Sequence, residues 1–76
     1  MEKVEFEGEV YNARHGGPFD RGSADSYYGR PFRPHYFLGD TYNSTEVIIN
    51  PESGLWLEYE AGYNYNEEFG SKKDWG

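Results

Sequence analysis

Eight aliphatic side chains larger than alanine stand in this 76-residue sequence: three Val, two Ile and three Leu. Against them stand eight Tyr, five Phe and two Trp. A core built from this chain has to be aromatic, because each ring removes roughly 150–250 Å² from water and the aliphatics are too few. An aliphatic count alone points toward disorder. The tyrosines point the other way, since the mean hydropathy of −1.00 scores them as polar. At this length a chain buries only about 60% of the surface it exposes when unfolded. The expectation is one small domain over residues 1–76 with mobile ends at 1–2 and 71–76. No cysteine is present, so neither a disulfide nor a thiolate metal site can staple it.

The charges are unevenly placed. Residues 12–37 hold all four Arg against Asp20 and Asp25, whereas the rest holds three Lys against twelve acids, for a net charge of −7. Both histidines and three of the four prolines also lie in the block RHGGPFDRGSADSYYGRPFRPHYF, residues 14–37. An overall acidic balance argues against general affinity for nucleic acid or an anionic membrane, and favours a basic protein partner. No apolar run approaches the ~20 residues a membrane span requires, and the acidic start does not read as a leader. The expected setting is the cytoplasm.

Residues 3–11 alternate, which predicts a half-buried strand with Val4, Phe6, Gly8 and Val10 inward and Glu5, Glu7, Glu9 and Tyr11 outward. Gly8 on the apolar side suggests a bulge or a close approach. Residues 12–22 read as an ordered loop, and Ser23 caps a short helix closed by Gly29 in the left-handed position before Pro31. Residues 31–38 are extended, 39–44 turn, and 45–49 form a second, β-branched strand. Asn50 as cap and Pro51 at the first position open a long helix over 52–69. Leu55, Tyr59, Gly62/Tyr63 and Asn66 share one face of it. Gly62 permits close packing of another element, Gly70 ends the helix, and Trp75 in the tail folds back. The architecture expected is α+β, a short antiparallel ribbon of 3–11 and 45–49 packed on the C-terminal helix and clamped by a long Arg/aromatic loop.

Two constellations are candidates for binding. Arg14, His15, Arg21, Tyr27, Tyr28, Arg30, Arg33, His35 and Tyr36 could grip an anion or partner, with guanidinium forks for phosphate and rings for bases. Alternatively the same arginines pair with acids and stack on tyrosines to hold a small core together. Glu5, Glu7, Glu9, Glu58, Glu60, Glu67 and Glu68 could form an acidic face that imitates a phosphate track or fits a basic groove on another protein. HGGP lacks the pattern of a phosphate loop, and no strand-to-helix step is expected at its place. Ser23 or Ser26 with Asp25 and His15 or His35 could in principle form a nucleophilic triad, but serine beside aspartate at a helix start more often caps. No enzyme activity, metal or cofactor is expected.

The block at residues 14–37, followed by EYEAGYNYNEEFGSKKDWG, resembles a group of small bacteriophage proteins that share an RHGGPxDRGSADxYYGR loop, a PHY segment and a GYxxNExxGxxKDWG end. The resemblance covers roughly residues 12–76. It implies a phage accessory product acting inside the infected bacterium, binding and modulating or inhibiting a host protein, or serving as a structural component of a phage assembly. ADSYYGRPFRPHYF and LEYEAGYNYN are also similar in order to the ribosome modulation factor family, which implies a nucleotide- or RNA-binding role. The chain differs from that family in its negative charge.

Overall fold

The computed structural model describes residues 3–39 and 45–70. The expected turn at 39–44 and the tail bearing Trp75 therefore lie wholly or mainly outside the described residues. In chain order the elements are β1 (Lys3–Phe6), β2 (Glu9–Asn12), α1 (Pro18–Tyr27), β3 (His35–Phe37), β4 (Glu46–Ile48) and α2 (Gly54–Phe69). They form one α+β domain in which two short hairpins flank a pair of crossed helices.

The first hairpin corrects the expected strand over 3–11. Glu7 and Gly8 both take positive φ, 52° and 82°, as a two-residue turn with the right-handed twist of a tight hairpin requires. Gly8 is therefore a turn residue, not a bulge. The chain folds on itself with Val4 opposite Tyr11 and Glu5 opposite Val10. Reversal shifts the alternation by one position. Tyr11 packs inward against Phe19, and Val10 faces out, 60% exposed.

The expected pairing of 3–11 with 45–49 does not occur. Pro31 and Pro34 keep the chain extended into His35–Phe37, and this segment pairs antiparallel with Glu46–Ile48. The ladder is extended by Ile49 N–H to the Pro34 carbonyl at 3.1 Å and Leu38 N–H to the Thr45 carbonyl at 3.2 Å. Two separate two-stranded sheets result.

Of the loop expected over 12–22, residues 13–17 are loop, whereas 18–22 are the first half of α1. Gly17 is the extended N-cap, Pro18 occupies the first turn, where a missing N–H costs nothing, and Arg21 N–H bonds the Gly17 carbonyl at 2.9 Å. HGGP thus does lead from a strand, β2, into a helix. Ser23 lies in mid-helix and caps nothing. As expected, Gly29 closes the helix with φ 69°, while Arg30 N–H reaches back to the Asp25 carbonyl at 2.8 Å. At α2 the cap is Ser53, whose Oγ accepts from Leu55 N–H at 3.1 Å. Asn50 and Pro51 form the preceding turn, with Glu52 N–H on Asn50 Oδ1 at 2.9 Å. Gly70 ends α2 as expected, its N–H on the Asn66 carbonyl.

The helices meet through reciprocal glycines. A Cβ on Gly62 would sit 2.0 Å from the Phe19 carbonyl oxygen, and one on Gly22 2.1 Å from the Tyr59 carbonyl oxygen. Each backbone thus lies directly on the other's glycine. Aromatic clusters fill both flanks of the crossing. On one, Phe6, Phe19 and Tyr65 meet at 5.5–5.6 Å. On the other, Phe32 packs edge-on to Trp56, Tyr59 and Tyr63. Ile49 is the one buried branched aliphatic among the described residues. No described helix is long and apolar enough to cross a membrane.

Candidate interaction site

The Arg/aromatic block is drawn around a carboxylate. Asp25, 2% exposed, accepts a short hydrogen bond from the Tyr59 hydroxyl on Oδ2. Arg30 Nη1 stands 3.5 Å from its Oδ1, and Arg21 Nη2, one helical turn away, 3.9 Å. A carboxylate so deeply buried requires such partners, since its desolvation costs several kcal/mol. The Tyr59 oxygen also accepts the Arg33 backbone N–H at 3.2 Å, which ties α1, α2 and the segment before β3 together. Burial, and then the bond to Asp25, push the Tyr59 phenol well above its ordinary value, while the Arg33 N–H acts in the opposite direction.

His35, 3% exposed, belongs to the same network. Its Nδ1 lies 2.7 Å from the Arg33 carbonyl and 3.8 Å from Asp25 Oδ2, so the carbonyl is its hydrogen-bond partner. A carbonyl only accepts, so Nδ1 carries the proton, and Nε2 accepts from Arg21 Nε at 3.4 Å. The other members of the block are dispersed. Arg30 lies 4.7 Å over the Tyr28 ring, which meets Tyr27 edge-on. Arg33 pairs with Glu46 at 2.6 Å. Arg14 donates to the Phe37 carbonyl at 2.8 Å. His15 is exposed beside Asp20 at 3.9 Å. Ser26 is fully buried, donates to Glu67 Oε2 at 2.5 Å and accepts from Asn66 Nδ2 at 3.0 Å, so it joins the helices and meets neither histidine nor Asp25 in these bonds.

The acids expected on one face are divided as well. Glu67 braces Ser26, Glu68 is exposed near the end of α2, and Glu5 shares the hairpin's outer face with Val10. Glu9 of β2 and Glu58 of α2 border one groove together with Tyr11. Burial, followed by the charges of Glu9, Glu7, Glu58 and Glu60, raises the Tyr11 phenol above its ordinary value. Partial burial likewise raises the Glu58 carboxyl.

Between these elements runs an open groove of about 550 Å³ lined by Lys3, all four residues of β2, and Gly54, Leu57 and Glu58 of α2. Two of its apolar side chains, Val10 and Leu57, are 60% and 61% exposed. A second hollow of about 290 Å³ shares Asn12 and Glu58 with it and adds Arg14, Pro18, Tyr36 and Leu55. Arg14, Tyr36 and Glu58, drawn from both sequence constellations, therefore border one surface. Glu58 stands at the junction.

Sequence reasoning missed Asp25 as the hub and Tyr11 at the groove. The first had a signal, a rare acid inside an arginine-rich block. The second depended on the hairpin reversal. No family model, curated protein or solved structure matches the chain.

Proposed function

We propose that this chain is a binding protein whose acidic groove takes a basic surface of another protein and thereby modulates or inhibits it. The observation that carries this reading is a groove in which Glu9 and Glu58 stand with Tyr11 beside the exposed apolar side chains of Val10 and Leu57. Clustered acids speed encounter with a basic partner through long-range attraction, and adjacent apolar groups supply the contact that holds it. A nucleotide- or RNA-binding role has less to support it. Arg14, Arg21, Arg30 and Arg33 are each engaged with a protein oxygen, a carboxylate or a histidine nitrogen. The resemblance to phage proteins would place the partner in an infected bacterium.

The test is capture from bacterial lysate at low and high salt, comparing the natural chain with one carrying Glu7→Gln, Glu9→Gln, Glu58→Gln and Glu60→Gln. The reading expects a basic protein retained at low salt by the natural chain alone, with the purified pair binding again in isolation. Equal retention by both chains, or retention indifferent to salt, removes it.

A further inference from the structure

The groove runs along a sheet edge. Lining by Glu9, Val10, Tyr11 and Asn12 in unbroken succession, with Lys3 the sole contribution of β1, places it beside β2 rather than over either face of the hairpin. A face would expose alternate residues of both strands. Among the described residues β2 has β1 on one side and no strand on the other.

The register fixes which backbone groups face the groove. A two-residue turn makes Phe6 and Glu9 a hydrogen-bonded pair, and the antiparallel alternation gives Val4 and Tyr11 the next. The N–H and C=O groups of Val10 and Asn12 therefore point away from β1. The opposite wall, Gly54 and Leu57, leaves room. A Cβ built on Gly54 would meet nothing within 4 Å. Of the charged groups lining the groove, Glu9 and Glu58 are acidic and Lys3 alone is basic.

Resting on the function proposed above, we infer that the partner contributes an extended, Lys- or Arg-bearing segment that adds to the outer edge of β2 as a third strand. Main-chain bonds to Val10 and Asn12 would fix its register, its cations would face Glu9 and Glu58, and its apolar side chains would pack on Leu57 and Val10. Backbone pairing supplies affinity in this mode, and alternate side chains supply selectivity. Charge complementarity selects this occupant over an acidic or wholly apolar strand.

The probe is an acetylated, amidated peptide of alternating Lys and Val, titrated into the unmodified protein at low salt. Two further versions are methylated on the amide nitrogens of either the Lys or the Val residues. In a strand, successive N–H groups point to opposite sides, so only one methylated set faces β2. Strand addition predicts that one version loses roughly tenfold or more in affinity and that the other retains it. It also predicts that hydrogen exchange slows at the Val10 and Asn12 amides on saturation with the peptide. Binding that is equal for all three peptides, with exchange at Val10 and Asn12 unchanged, overturns strand addition and leaves the acidic groove reading intact. Absence of binding by every peptide overturns both.

Discussion

Replacing Gly62 by alanine adds one methyl group to the middle of α2. At an unconstrained helical position that change stabilises by roughly 1 kcal/mol, because glycine loses more backbone freedom on folding. Here the added Cβ would lie 2.0 Å from the Phe19 carbonyl oxygen and 2.9 Å from Phe19 Cα. Ordinary contact begins at 3.4 Å, so relief along that vector alone requires α1 and α2 to part by 1.4 Å. No flexible side chain can yield, since the obstructing atoms are backbone. A gap of ~0.5–1 Å already forfeits a quarter to a half of each dispersion contact. The loss would extend through the flanking aromatic clusters and the Tyr59–Asp25 bond. Overpacking of a tight core costs about 1–3 kcal/mol and occasionally more. With rigid backbone on both sides, about 3 kcal/mol is expected. For a domain of this length that is roughly a 12–24 °C fall in melting temperature. Thermal and urea unfolding followed by circular dichroism would read it. Gly54→Ala in the same helix is the control, because its Cβ meets open space and it should be neutral or mildly stabilising. Equal, small effects of the two substitutions would refute the close crossing.

Other expected outcomes follow from the buried network and the caps. Asp25→Asn should destabilise by about 3–5 kcal/mol, since Arg21 and Arg30 lose their shared carboxylate, and denaturant midpoints measure it. Tyr59→Phe should cost about 1–3 kcal/mol by stranding Asp25 and the Arg33 N–H, with strong non-additivity in the double variant. The raised Tyr59 phenol means that folding favours its protonated form. Its contribution is intact below the ordinary value of 10.0 and is lost as pH rises beyond it, so stability should fall in alkali less steeply for Tyr59→Phe than for the natural chain. Ser53→Ala should cost about 1 kcal/mol through loss of the α2 cap, read from the urea midpoint.

Much of the architecture was legible where one residue settles a local question. Gly29 and Gly70 marked helix ends, the spacing of Tyr59, Gly62 and Asn66 marked the buried face of α2, and the scarcity of aliphatics foretold an aromatic core. Errors arose where two local signals competed. Alternation over residues 3–11 reads as one strand unless Glu7 and Gly8 are taken as a turn, and glutamate is not a usual turn residue at positive φ. Glycines at 16, 17 and 22 read as loop, yet Gly17 and Pro18 start a helix and Gly22 survives inside it because α2 packs there. That compensation is tertiary and has no local trace. The arginine block carried two readings of equal local appearance. Only the placement of Asp25 among Arg21, Arg30 and Tyr59 separates an internal clamp from an open anion site. The acids likewise could not be sorted by sequence, because the hairpin turn decides that Glu9 meets Glu58 of α2 at the groove.

A chemical-shift map of the isotope-labelled chain, titrated with the captured basic partner or the Lys–Val peptide, bears most directly on the division of labour between clamp and groove. Shifts concentrated at residues 9–12 and 54–58, with Tyr28, Arg30, Phe32 and Arg33 unmoved, are the predicted result. Shifts centred on Tyr28, Arg30, Phe32 and Arg33, with β2 unmoved, would contradict it.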